Sequence, residues 1–446
     1  MDKKLFGTSG IRGNAEELFT SQFCYDIALT FIEFLRGHGE LGPIAVGMDP
    51  RKSGPRIKED LLSGLSGGSV PLFDEGITPI PSINWLLLAT EIKAAIMITG
   101  SHIAPELNGV KFYAHNEEIS ASDMEEIESL YEENKNKGGS SLEVVVKKET
   151  RAKDLYKKML VEQINLKLPK WKIAVDCANG AQTVVFPDLL GELGFEVVKI
   201  NCSTEKDFIA RDTDTDDKAE IEELKKAVVS EKCDFGIAFD GDGDRSVFID
   251  ETGEFVTGEY SCTLIANHLP GSSVVTTVAA SQVVDSIKKS VYKTKVGSPY
   301  VIGEMKKRRA NFGFEQNGGA IFGEKMYTRD GGSVVMTMLG IFSKFGGTFS
   351  EMVGELPKYY MHRTKVDYKW EQQEEILKKA KEKFGSSKID ETDGLKIWID
   401  SDTWLLFRSS QNAPEFRVFA ESKDNDKAKK LLEEGIRLVT KIAAND

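Results

Sequence analysis

One supersecondary pattern recurs along this chain and limits what it can become. GPIAVGMDPRKSGPRIKEDLLSGL, from Gly42, reads as strand, polar turn and helix. WKIAVDCANGAQTVVFPDLLGELGFEVVKIN, from Trp171, reads as strand, Asn-Gly turn, helix and strand. SSVVTTVAASQVVDSIKKS followed by KTKVG reads the same way. Short β-branched runs that alternate with amphipathic segments of helix length predict parallel strands joined by crossover helices. Three such units predict three related α/β domains, an architectural repeat and not a solenoid. The tail differs: LKIWID, TWLLFRSS and EFRVFAES read as strands, and NDKAKKLLEEGIRLVTKIA reads as a helix, a small α+β domain. The polar stretch ENKNKGGSS (Glu133 to Ser141) precedes an expected helix near Glu149 to Ile164. A turn between Asp250 and Gly258, and Leu356-Pro357, mark the next boundaries. The expected domains are 1–148, 149–253, 254–358 and 359–446.

A chain of 446 residues is too long for one core, which agrees with several domains. No apolar run reaches the ~18 residues of a membrane helix, and MDKKLFGTSGIRG lacks the apolar stretch of a secretory signal. The cytoplasm is the expected location. The five cysteines are scattered and never form C-x-x-C, so reduced thiols are expected instead of disulfides or a zinc site. A net charge of −13 argues against non-specific nucleic-acid binding. Local basic groups can still hold an anionic substrate.

Chemistry concentrates in four loops. In AAIMITGSHIAPELNGVKF, the apolar run Ala94 to Ile98 delivers Ser101 and His102 into a punctuated loop. Gly100 and Asn108-Gly109 permit tight or left-handed backbone. Ser101 is a candidate nucleophile or phosphate carrier, with His102 and Lys111 as candidate proton-exchange or polarising groups. The hydrolase elbow G-x-S-x-G is absent, because Ile103 stands where its second glycine would be. The plain alternative is a strand-end turn whose serine caps an amide.

In DFGIAFDGDGDRSVFID, Asp240, Asp242 and Asp244 alternate with glycines between two apolar runs. Carboxylates this close repel one another unless a cation neutralises them. Hard oxygen ligands point to Mg²⁺ or Ca²⁺. An EF-hand-like reading would add Glu251 at ligand position 12, but position 6 is Arg245 instead of glycine and the flanks read as strands. FGFEQNGGAIF places Glu315 and Asn317 before Gly318-Gly319, able to offer an acceptor and an amide to vicinal hydroxyls, or simply forming a turn. FRSSQNAPEFRVF gathers Arg408, Ser409, Ser410, Gln411, Asn412 and Arg417 around one turn, which suits a phosphate or forms a polar hairpin.

Together and in this order the loops resemble the α-D-phosphohexomutase family. The matching segments are GIRG (Gly10 to Gly13), TGSHIAPELNGVK, DGDGDR (Asp240 to Arg245), FEQNGG and RSSQNAPEFR. The resemblance spans nearly the whole chain. It implies a heart-shaped molecule of three related α/β domains, with mixed sheets and crossover helices, plus a smaller C-terminal α+β domain. It implies a reversible 1,6-phosphate shift on a hexose through a phosphoserine, by match Ser101, and a hexose 1,6-bisphosphate that also serves as activator. Mg²⁺ on Asp240, Asp242 and Asp244 would also take a Ser101 phosphate oxygen. Lys111, Arg12 and Arg245 match positions near the transferring group, with Lys111 as general acid/base and His102 steadying the loop or the phosphate. Glu315 and Asn317 would hold the sugar's O3 and O4, with Lys295 a further contact. Arg408, Ser410, Gln411, Asn412 and Arg417 match the loop for the non-reacting phosphate.

The chain departs from the family pattern at several places. Gly100 and Ile103 stand where Ala and Asn are usual. Gly319 excludes a histidine acid/base in the sugar loop. Asn412 and Ala413 stand where Thr and Glu are usual. The N-G-G loop followed by RDGG is more like archaeal phosphomannomutase/phosphoglucomutase sequences, so mannose or glucose phosphate is the expected substrate. The alternatives are a phosphoglucosamine mutase and a non-catalytic sugar-phosphate or Ca²⁺-binding homologue. The expected partner is a small sugar phosphate, with no nucleic acid and no membrane, and the expected state is a monomer or homodimer.

Overall fold

The computed structural model describes residues 5–7, 9–136, 145–164, 167–213, 219–385, 388–410 and 414–444. Its contacts divide the chain into two compact units. One comprises Met1–Ser261 and Asn317–Met352, the other Cys262–Gln316 and Val353–Asp446.

The first unit contains two mixed sheets. The first has strands β1 (Ile11–Asn14), β2 (Ile44–Met48), β3 (Leu72–Ile77), β4 (Ala94–Ile98), β5 (Leu107–Ala114), β6 (Glu117–Glu118) and β7 (Val146–Lys148), in the order β1-β5-β4-β2-β3-β7 with β6 on β5. The inner strands β2 and β4 are parallel and wholly buried, as apolar runs covered on both faces must be. Along β4 the side chains alternate. Ala94, Ile96 and Ile98 join the core that contains helices Ser21–Gly37 and Gly54–Leu65. Ala95 and Met97 join the opposite core with helix Ile80–Ala89. This period of two makes the sheet the middle layer of three. The second sheet has β8 (Lys172–Asp176), β9 (Glu196–Ile200), β10 (Phe235–Phe239), β11 (Ser246–Asp250) and β12 (Phe255–Val256), ordered β12-β11-β10-β8-β9. Helix Arg151–Glu162 lies where the sequence predicts one, two residues shorter at each end.

In the second unit β13 (Ser273–Thr277) pairs in parallel with β14 (Ser290–Thr294) and β15 (Phe312–Phe314). The helix expected between β13 and β14 is only a five-residue 3-10 helix, Gln282–Ser286. The β-branched pair Val283-Val284 and the Ser281 hydroxyl, which caps the Val283 amide, favour a tight turn over a longer helix. β16 (Ala320–Phe322) belongs to the first unit.

The tail is an antiparallel sheet of β17 (Tyr360–Asp367), β18 (Ile389–Asp390), β19 (Leu395–Asp400), β20 (Thr403–Ser409) and β21 (Glu415–Ser422), ordered β17-β21-β20-β19-β18. Helix Asn425–Ala443, read from sequence, packs on it, as does helix Gln373–Phe384, which was not read. β17 was also missed, because as an edge strand it alternates no clear apolar face. The fold class is therefore α/β units with mixed sheets and a C-terminal α+β domain. No helix among the described residues is long and apolar enough to cross a membrane. All five cysteines are free.

Candidate active site

The buried run of β4 ends at Thr99, whose hydroxyl lies 2.7 Å from Asp49 Oδ2 and 3.3 Å from Asp242 Oδ2. Thr99 Oγ1 also accepts from the Ser101 amide at 2.8 Å. The left-handed residue of the loop is Ser101 itself, with φ 54°, and not Gly100 or Gly109. The glycines serve close approach instead. A Cβ on Gly100 would lie 2.7 Å from the Arg51 guanidinium carbon, and one on Gly109 would lie 2.5 Å from the Thr99 carbonyl oxygen. Asn108-Gly109 is strand, not turn, because β5 begins at Leu107 and pairs with β1 and β4.

Arg51 holds the loop from beneath. Nε donates to Asp49 Oδ2 at 3.1 Å, Nη1 to the Ala104 and Leu107 carbonyls at 2.7 and 2.9 Å, and Nη2 to the Ser101 and Ile103 carbonyls at 2.8 and 2.7 Å. Its face covers the Phe208 ring at 4.1 Å. These contacts were not foreseen. Their only signal was Asp-Pro-Arg after an apolar strand.

The DGDGD segment joins β10 to the antiparallel β11, with Gly243 at φ 73° making the bend. Asp240, Asp242 and Asp244 are all buried, and one oxygen from each lies within 4.8 Å of the others. Asp242 Oδ1 and Asp244 Oδ1 have no hydrogen-bond partner. Burial, then the charges of Asp242 and Asp244, push the Asp240 carboxyl well above the usual carboxylate range. Burial opposes charge on Asp244 too, but Arg329, Arg245 and Lys111 hold it below that range. Orphaned buried oxygens and mutual repulsion fit a divalent cation with hard-oxygen preference. The EF-hand reading fails: the Glu251 carboxylate bonds the Ser350 amide and hydroxyl at 3.0 and 2.5 Å, and the flanks are strands.

Ser101 Oγ lies 3.3 Å from Asp240 Oδ2 and 3.3 Å from His102 Nδ1. Burial and the Arg245 charge push the His102 imidazole well below its usual range. Arg245 Nε lies 3.4 Å from Asp244 Oδ1 and 3.6 Å from Asp240 Oδ2. Arg329 Nη2 lies 2.6 Å from Asp244 Oδ2, a contact the sequence reading missed. Lys111 is buried on β5 with Nζ 3.9 Å from Glu118. Arg12 sits opposite Gly109 on β1, its Nε without a hydrogen-bond partner. Four cations thus accompany three carboxylates and one serine in the first unit.

Asn317 belongs to the same unit. Its Oδ1 accepts from the Gly319 amide at 3.0 Å, and its carbonyl accepts from Thr213 Oγ1 at 2.5 Å. A Cβ on Gly318 (φ 81°) would lie 2.2 Å from the Ser246 carbonyl oxygen, so this loop packs against the end of the DGDGD loop.

The second unit holds the remaining candidates. Glu315 is buried after β15, and its charge acts on Arg408. Arg408 Nε donates to Asp393 Oδ2 at 2.9 Å. Arg417 is its direct cross-strand neighbour on β21. Like charges directly opposite one another are unfavourable in a sheet, and an anion would relieve them. The buried Ser410 donates its amide to the Glu415 carbonyl at 2.8 Å. Lys295 is exposed, its Nζ 6.0 Å from the Tyr300 ring centroid. Gln411 and Asn412 lie outside the described residues.

Sequence profiles described as phosphoglucomutase/phosphomannomutase, alpha/beta/alpha domains I, II and III, match residues 3–138, 152–253 and 257–360. A phosphoglucomutase/phosphomannomutase of Thermococcus kodakarensis is 36% identical, over 98% of each chain. A phosphoglucosamine/phosphogalactosamine mutase of Sulfurisphaera tokodaii is 31% identical, over 98% of this chain and 99% of that one. The crystal structure of a phosphoglucomutase/phosphomannomutase family protein from Burkholderia thailandensis superposes with a TM-score of 0.83 at 21% identity, over 99% of this chain and 98% of that one.

Proposed function

The chain belongs to the phosphoglucomutase/phosphomannomutase family of α-D-phosphohexomutases, enzymes of the isomerase class, and on that premise we propose that it interconverts hexose 1-phosphate and hexose 6-phosphate of mannose or glucose through a phosphoserine at Ser101. One observation carries the reading: Ser101 Oγ faces Asp240 at 3.3 Å inside a buried carboxylate triad ringed by cations. Asp240, Asp242 and Asp244, with a Ser101 phosphate oxygen, would hold Mg²⁺, which neutralises charge on a transferring phosphoryl group.

This chain's residues supply the rest. Arg12, Lys111, Arg245 and Arg329 offset the phosphate charge. The substrate hydroxyl attacks phosphorus, the bond from phosphorus to Ser101 Oγ breaks, and Lys111 relays the proton, giving one to the departing Oγ and taking the one the hydroxyl loses. His102 steadies the loop or the phosphate. The hexose 1,6-bisphosphate so formed returns its other phosphate to Ser101. Glu315, Asn317 and Lys295 hold the sugar. Arg408, Ser410, Gln411, Asn412 and Arg417 hold the non-reacting phosphate. That loop must accept either end of the intermediate, so it reads phosphate and not the ring. The domains of this reading are 1–148, 149–253, 254–358 and 359–446. It describes a cytoplasmic monomer or homodimer acting on a free sugar phosphate, without nucleic acid or membrane.

Phosphorus NMR with mannose 1-phosphate, glucose 1-phosphate or glucosamine 6-phosphate, each with Mg²⁺ and glucose 1,6-bisphosphate, tests the proposal. Turnover of the first two, abolished by Ser101→Ala, is expected. Turnover retained in Ser101→Ala would overturn the mechanism. Turnover of the glucosamine phosphate alone would overturn the substrate assignment.

A further inference from the structure

In the second unit, one carboxylate with no part in the phosphoryl chemistry links Arg408 to the backbone that follows Lys295. Strand β19 begins at Leu395, opposite Phe407 on β20. Just before it, Gly394 lies in the left-handed region with φ 84°. A Cβ there would lie 2.2 Å from the Phe407 carbonyl oxygen and 2.9 Å from Arg408 Cα. Only glycine lets the chain run this close to β20, and the approach sets the preceding Asp393 beside Arg408. The side chains of Arg408 and Asp393 are 5% and 11% exposed. Asp393 Oδ2 accepts from Arg408 Nε at 2.9 Å and from the Val296 amide at 3.1 Å.

The amide end of this bridge is anchored. Val296 packs against the cluster of Ala279, Trp404, Leu406 and Phe419. The residues that follow β13 hold to the tail sheet as well. Lys396 Nζ donates to the Val278 carbonyl at 2.8 Å, and the Gln282 amide donates to Glu421 Oε1 at 2.9 Å. At the other end, Arg408 lies directly opposite Arg417. A buried guanidinium beside a like charge needs a counter-ion, and Asp393 supplies one at Nε. An end-on grip of phosphate uses Nη1 and Nη2, so engagement at Nε is compatible with it.

We propose that Asp393 is a positioning residue for substrate, one that fixes the Arg408 guanidinium for the non-reacting phosphate and takes its own position from the Val296 amide. The role rests on the assignment of Arg408 to that phosphate. Asp393 acts through the arginine and not on the phosphate, which its own charge would repel. It holds the guanidinium in place before substrate arrives, so less ordering is lost on binding. Because Val296 directly follows Lys295, the phosphate contact and the candidate sugar contact share one anchor.

Titration calorimetry of the full-length protein with glucose 1-phosphate, in EDTA so that no phosphoryl transfer occurs, tests the role. Arg408→Met and Asp393→Ala should each raise the dissociation constant about 10-fold or more, the loss expected for one hydrogen bond to a charged group. Asp393→Ser, one bond shorter, should match Asp393→Ala. Asp393→Asn keeps an oxygen acceptor and should stay within about 3-fold of wild type. In the Arg408→Met background, Asp393→Ala should add less than about 2-fold, because the residue acts through that guanidinium. A general structural defect would add its full factor in both backgrounds, and that result would overturn the proposal. Wild-type affinity in both Asp393→Ala and Asp393→Ser would also overturn it. If the wild type does not bind, or Arg408→Met binds equally well, the assignment of Arg408 to phosphate falls, and the positioning role with it.

Discussion

Replacing Arg51 by lysine keeps the charge and removes the fork. The guanidinium has five N–H groups, and each has a partner: one carboxylate oxygen and four carbonyls of the serine loop. An ammonium has three donors on a point charge, so at least two of the five acceptors lose their partner. Each unsatisfied buried group costs about 1–3 kcal/mol. The variant should therefore lose roughly 2–6 kcal/mol of local stability, concentrated in residues 99–107 and not spread through the sheet. A loop that misplaces Ser101 by about 1 Å should slow transfer about 100-fold. The assay is hydrogen exchange on peptides spanning the loop, paired with the rate at which Ser101 takes up phosphate from glucose 1,6-bisphosphate. Faster exchange in that peptide alone, with slower uptake, is expected. Wild-type protection together with uptake within about 3-fold of wild type would refute the idea that this clamp positions the serine.

Gly241→Ala would place a Cβ 2.1 Å from Phe208 Cζ and 2.7 Å from the Ser101 carbonyl oxygen. The metal loop must then shift, and a Mg²⁺ dissociation constant at least about 10-fold higher by calorimetry is expected, the equivalent of ~1.4 kcal/mol. A third prediction concerns pH. Burial lowers the Lys396 ammonium to about 7. It faces Lys293, which lowers it further, and Glu421, Asp285 and Asp390, which raise it. Its Nζ donates to the Val278 carbonyl at 2.8 Å and lies 3.6 Å from the Trp404 ring centroid. Because the folded state holds this proton less tightly than the unfolded chain, the penalty is full below pH 7 and is relieved as pH rises toward the unfolded value. Wild type should gain stability relative to Lys396→Met between pH 7 and 10, read from denaturant midpoints; parallel pH profiles would contradict the assignment.

Much of the site was legible because its groups are local. Asp240, Asp242 and Asp244 lie within five residues between apolar runs, and their mutual repulsion over so short a span marks a candidate cation site without tertiary knowledge. Thr99 to His102 and the alternating strands and helices are likewise short-range patterns. The two arginines that were missed act at a distance. Arg51 reaches a loop some fifty residues on, and Arg329 reaches Asp244 from across the metal loop. Nothing in the local pattern of either segment names its partner.

What the sequence determined by itself is the alternation that forces crossover helices, the carboxylate triad and the serine placed at a strand end. These follow from periodicity, charge repulsion and glycine placement over spans of a few residues. Only the tertiary structure decided that Ser101 takes the left-handed conformation while Gly100 and Gly109 make room for Arg51 and the Thr99 carbonyl. It also decided that Ser101 faces Asp240, and that the connection after β13 holds a short 3-10 helix in place of an α-helix. Those outcomes depend on which distant atoms compete for the same few ångströms, and that competition is settled only when the layers pack.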